Sequence, residues 1–265
     1  MSLPPDGRRA RGWADAVFVY FRTMAVFALV WWGISILTGN AMLLPDPWRV
    51  AQALGDVASD GDLFAQAAIS VIRLTAALLI AAAIAIPLGL AMGMSRMLER
   101  LIDPVVEILR PISGIAWIPL ALFIFGVGHG LPIFIMAYTA AFPLLIGTIA
   151  GAKQVDRRLI DAARVMGLGR TAIIRRVVVP AALPSLLVSL RLGVASGWTA
   201  VIAAELVGAP NGLGYAISWY REMLVTPKVI AFIGMVGVSG YLYDYGLRRL
   251  NEYLTPWAPN AGDRR

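Results

Sequence analysis

The chain contains no cysteine, which excludes disulfides and thiolate metal sites. Its single histidine, His129, leaves no histidine cluster to hold a metal, so neither a metal nor another cofactor is expected. No Gly-Lys-Ser/Thr phosphate-binding loop is present, which excludes ATP hydrolysis by a P-loop of its own. Charge is also scarce. Only 15% of the 265 residues are charged and 59% are apolar, against about a quarter and about a half in soluble domains. The apolar excess gathers in runs long enough to cross a bilayer, which takes about 20 helical residues.

The net charge of +7 does not point to nucleic acid, because the basic residues sit in the loops between apolar runs. The N-terminus carries Arg8, Arg9 and Arg11 ahead of an apolar stretch, as a signal peptide does. No small-residue cleavage site follows, and Trp31-Trp32 lies deep in the run, so a retained first helix is expected.

The pattern predicts an all-α, polytopic membrane helix bundle with six spans, at about 23–37, 74–94, 112–127, 131–150, 182–208 and 229–243. Prolines at 119, 132 and 143 are compatible with this, since neighbouring helices and waters satisfy the backbone groups they free. With the N-terminus inside, 17 of the 23 Lys and Arg fall on the cytoplasmic side. Seven of these lie in the loop after the fourth span, from Lys153 to Arg176. The positive-inside rule then places both termini in the cytoplasm. The expected organisation is a cytoplasmic tail over 1–22, a membrane domain over 23–250 with a cytoplasmic loop at 151–180, and a cytoplasmic tail over 251–265. In the outer segment 39–66, a short amphipathic helix is expected over 48–57. Asp46 would cap it, with Pro47 at its first position.

The loop 151–180 is the one inside loop long enough to fold. Residues 156–166 read as a helix ended by Gly167 and Gly169, and 171–177 as a second helix ended by Pro180. Such a helix–Gly–helix elbow makes a docking knob for a cytoplasmic partner. The small pair Ala162-Ala163 allows close approach and Arg164 adds a directional contact. Composition alone leaves open that the basic loop only fixes topology.

Asp161-Ala162-Ala163, three residues, Gly167, nine residues, Val177, one residue, Val179-Pro180 resembles the "EAA" signature of binding-protein-dependent ABC permeases. The spacing is kept throughout, with Asp for Glu at 161, Val for Ile at 177 and Val for Leu at 179. Further segments are similar to the nitrate, sulfonate, taurine and bicarbonate branch: Leu44-Pro45-Asp46-Pro47, Ser70-Val71-Ile72-Arg73, Ile115-Ala116-Trp117-Ile118-Pro119-Leu120 and Ala203-Ala204-Glu205-Leu206. The resemblance covers roughly 42–253. It implies a MetI-like type I importer permease in a bacterial inner membrane, carrying a small and often anionic solute. It also implies that Asp161, Ala162, Ala163, Arg164, Gly167 and Pro180 couple to a separate ABC ATPase. The implied partners are two ATPase copies, a second copy of the chain as a homodimer, and a periplasmic or lipid-anchored solute-binding protein.

On the fifth span, Gly193, Gly197, Ala200 and Ala204 form a ridge of small residues suited to close helix packing. Arg191, Trp198 and Glu205, spaced by seven, share another face. Arg191 and Glu205 lie about 21 Å apart along the axis, too far to pair. Two readings of this face stay open. It could border a translocation path, with Arg191 attracting an anion, or Arg191 could bond helix-end carbonyls while Glu205 sits at the outer interface. A rival class rests on Gly237-Val238-Ser239-Gly240, which matches the GxSG of intramembrane serine proteases, with His129 as base. A secondary transporter would need no docking loop and commonly shows repeated halves, of which none is found.

Overall fold

The computed structural model describes residues 6–256, with side chains from residue 19 onward apart from Tyr20 and Phe21. The basic residues Arg264 and Arg265 lie outside the described residues, and Arg8, Arg9 and Arg11 lie on a helix whose side chains there are not described. Among the described residues the fold is all α. The helices are α1 (Asp6–Thr38), α2 (Pro47–Ser59), α3 (Asp62–Met94), α4 (Arg96–Leu109), α5 (Ile118–Phe125), α6 (Gly130–Lys153), α7 (Arg157–Val165), α8 (Arg170–Ile173), α9 (Val179–Gly208), α10 (Leu213–Glu222) and α11 (Thr226–Leu254). A 3₁₀ turn (Gly114–Trp117) leads into α5, and a π turn (Ile174–Val178) joins α8 to α9.

Among the described residues, four helical stretches are long and apolar enough to cross a membrane: α3, α6, the continuous run Arg170–Gly208 and α11. The expected third span, 112–127, is not one helix. Its residues belong to a pair, α4 and Gly114–Phe125, bent by 81°. The first expected span falls on a shorter apolar stretch, Arg22–Thr38, within α1. That helix already begins at Asp6, so the expected N-terminal tail is helical from there.

The core is a sandwich in which α6 packs between α3 and α9. Small residues let these backbones approach. A Cβ at Gly93 of α3 would stand 2.6 Å from the Ala152 Cβ of α6, and one at Gly151 of α6 would stand 2.8 Å from the Ser185 Cβ of α9. The expected ridge on α9 does this work. Gly193 abuts the Ala140 carbonyl, and Ala200 and Ala204 are buried with Leu131 and Ile135 of α6.

Two local expectations are corrected. Asp46 precedes α2 but makes no capping bond. Its carboxylate instead accepts from the Ser35 hydroxyl at 2.9 Å and pairs with Arg49 at 3.4 Å, tying α1 to α2. Pro180 does not end the second loop helix, because it falls in the first turn of α9 and the helical run passes through it. The wider π turn immediately before it shifts the hydrogen-bond register where proline lacks an N–H and its ring crowds the preceding turn.

Candidate functional site

The loop 151–180 folds as an elbow. The Asp156 carboxylate caps α7 by accepting from the Arg158 N–H at 2.9 Å. At the other end Gly167 donates to the Arg164 carbonyl at 2.9 Å and Leu168 to the Ala163 carbonyl at 3.1 Å, the paired bonds of a Schellman stop. Gly167 has φ +80°, and nothing stands within 4 Å of where its Cβ would be. Backbone handedness alone therefore demands glycine here. The two alanines divide: Ala163 is buried against Val155, Ile173 and Val178, while Ala162 faces out. Beside it Val165 is 89% and Met166 77% exposed. Arg164 is not free, since it pairs with Asp161 at 3.2 Å on the open surface. Pro180 is exposed on α9.

The structure ties each of the three α9 residues to another helix. Arg191 donates from Nε and Nη2 to the two Asp244 oxygens of α11, at 2.9 and 3.0 Å. Trp198 Nε1 donates to the Val236 carbonyl at 3.2 Å, also on α11. Glu205 turns to α3 and is wholly buried. Arg191 is thus held by Asp244 rather than by helix-end carbonyls, and Glu205 is buried against Arg73 rather than placed at an outer interface.

Glu205 sits in a network that neither reading contained. Arg73, 2% exposed on α3, donates from Nη1 to Glu205 Oε1 at 2.8 Å and to the Asn211 carbonyl at 2.7 Å. Its Nη2 also reaches the Asn211 side-chain oxygen, and its Nε donates to His129 Nδ1 at 3.1 Å. Glu205 further accepts from the Ser70 hydroxyl and, at 2.9 Å, from the Gly214 N–H. Ser70 in turn accepts from Leu213 N–H at 2.9 Å, and Gln66 from Gly212 N–H at 2.6 Å. Every strong donor and acceptor of the buried pair is thus matched, as burial of a charge requires. The network pins the 209–212 turn and the His129 loop onto α3. Nearby on α10, burial and the Asp62 and Asp60 carboxylates push the Tyr220 phenol above its usual value.

His129 Nδ1 is occupied by Arg73, and Ser239 is buried on α11 with no hydrogen bond to His129. Among the described residues, no three His, Cys, Asp or Glu are grouped as metal ligands. Sequence reasoning missed Arg73, Asn211 and Asp244 as partners. A signal existed for Arg73, the one cation in the long apolar run of α3.

Residues 85–254 match the family of binding-protein-dependent transport system inner membrane components. The chain is 35% identical to the taurine transport system permease protein TauC of Escherichia coli over 242 residues, covering 89% of this chain and 88% of that one. It is 31% identical to the putative aliphatic sulfonates transport permease protein SsuC of Bacillus subtilis, covering 95% and 90%. An inward-facing structure of the MetNI methionine ABC transporter superposes with a TM-score of 0.63 at 22% identity, covering 74% of this chain and 98% of that one. The all-α bundle, the kept elbow and these matches agree: the chain belongs to the family of inner-membrane components of binding-protein-dependent transport systems.

Proposed function

We propose that the chain is the membrane subunit of an ATP-driven importer for a small sulfonate-like anion, and that the elbow 156–169 is where a separate ATPase subunit seats. The elbow carries this reading. It is built rigidly, by a cap at Asp156 and a glycine stop at Gly167, yet it presents Ala162, Val165 and Met166 to solvent with nothing over them. Apolar side chains held this far out contribute little to their own fold and suit burial under a partner. The taurine and sulfonate relatives support the solute class. Charge asymmetry supports an orientation with the elbow and both termini in the cytoplasm.

ATP binding draws two ATPase subunits together, each carries an elbow with it, and the elbow continues through α8 and the π turn into α9. Two copies of the chain enclose the route, and a binding protein delivers solute from outside. Each ligand must favour one state of the complex for this cycle to advance. The test is copurification from membranes with a coexpressed candidate ABC ATPase subunit. Wild type should retain the ATPase, and Gly167→Val should insert normally but lose it or hydrolyse ATP without response to loaded binding protein. Full transport by Gly167→Val sinks the coupling role.

A further inference from the structure

Among the described residues, three arginines stand beside the membrane-crossing helices: Arg73 is buried and pairs with Glu205, Arg191 is half-buried and pairs with Asp244, and the third is exposed on the surface of this chain. The third is Arg110, one of the seventeen that charge counting puts on the cytoplasmic side; the structure sets it at the break between α4 and the 3₁₀ turn, beside α6. Its side chain has no hydrogen-bond or ion-pair partner among the described residues, and Glu107, one turn earlier, forms no ion pair with it. Its level is set by Tyr138, whose hydroxyl donates to the Leu109 carbonyl at 2.7 Å. Tyr138 lies eight residues from one end of α6 and fifteen from the other, about 12 Å and about 22 Å along the axis. Gly114 fixes the break there, because its Cα lies against Thr139 and Ile135 of α6.

Arg110 borders an open cleft of about 560 Å³ between this break, α6 and α9. Ser113, Tyr138, Thr139 and Ser196 line it, with Phe142 and Leu192 as apolar walls. A second groove shares Gly147 and Leu192 with it and runs on past Ala150 and Ser185 toward the elbow end of the bundle. The Ser113 and Ser196 side chains donate no hydrogen bond among the described residues, so both hydroxyls are available to a guest. A cation at this depth is costly unless it faces protein or a water-filled path.

We propose that this cleft is a station for a small oxyanion inside the membrane, with the Arg110 guanidinium as its fixed counter-charge and Ser113 and Ser196 as hydroxyl donors. The proposal rests on the importer reading and names the place where the solute pauses. A planar guanidinium matches two oxygens of a sulfonate or carboxylate side by side. The depth separates such a solute from a lipid headgroup, which stays at the bilayer surface.

The cysteine-free chain permits a direct test. Ser196→Cys is placed in the full complex in membrane vesicles and treated with two impermeant reagents, anionic methanethiosulfonate ethylsulfonate and its cationic trimethylammonium analogue. Both should react, the anion faster. Adding Arg110→Gln should lower the anion-to-cation rate ratio by roughly tenfold, the effect expected of one charge lining the same partly wet cleft. Arg110→Lys should keep most of the ratio. A cysteine at exposed Leu79 of α3 should stay unreactive. An inert Ser196→Cys, or a ratio indifferent to Arg110→Gln, overturns the station. ATP hydrolysis stimulated by binding protein is read on the same vesicles. Stimulation without the labelling contrast removes the station alone, whereas no ATPase association in wild type removes the importer reading.

Discussion

The two ends of the bundle handle charge in opposite ways. At one end Arg73 and Glu205 are almost wholly out of solvent, and each is held by several partners drawn from α3, α9 and two loops. At the other, Asp161 and Arg164 pair one turn apart on an exposed helix, beside apolar side chains that nothing covers. A buried pair is costly to assemble and far costlier to break by halves, so it locks geometry. An exposed pair contributes almost nothing to stability and can be exchanged for a partner's groups. The first region is built to stay as it is, and the second to be completed from outside.

The sharpest way to break this contrast is Glu205→Ala. It strands the Arg73 charge in the interior and should destabilise the fold by about 3–5 kcal/mol, read as a large fall in the melting temperature in detergent. Removing both charges together, with Arg73→Leu and Glu205→Leu, should recover much of that loss. If the single variant melts like wild type, the network is not a lock. Gly167→Val comes next. Forcing a β-branched residue into the left-handed region costs about 1–2 kcal/mol locally, so the protein should still insert while uptake is lost.

Asp161→Ala sharpens the comparison from the exposed side. Its effect on melting should stay within about 0.5 kcal/mol, while ATPase association, measured by copurification, should change. An equal loss of stability and association would place the pair in the fold rather than in the contact. The smallest effect is expected for Ser239→Ala. Ser239 is buried on α11 but takes part in neither region, so transport and melting should both stay near wild type.

Much of this was legible in the residues. Helix content, the small-residue ridge on α9 and the glycine stop at 167 follow from local chemistry, because spacing on one helix and one backbone conformation decide them. What was not legible depends on contacts distant in sequence. Arg73 and Glu205 are separated by 132 positions, and Arg191 and Asp244 by 53, so no local pattern joins them. The bend at 110–114 was hidden because hydropathy registers how apolar a segment is and not its direction. Pro180 reads as a stop because proline usually is one in a helix interior, whereas here the π turn before it accommodates the missing N–H and the ring.

The uninterrupted helical run from Arg170 to Gly208 has 39 residues, and at 1.5 Å per residue it is about 58 Å long. It is therefore a long lever with its base at the elbow and its tip near Glu205. A tilt of about 10° at the base carries the tip about 10 Å sideways, far more than the 2.8 Å hydrogen bond to Arg73 could stretch. Either α3 swings with the lever as one piece, or the lever pivots close to its tip. In the first case the bundle moves as one body, and in the second the largest displacement falls at the elbow end; in both the Arg73–Glu205 pair stays closed.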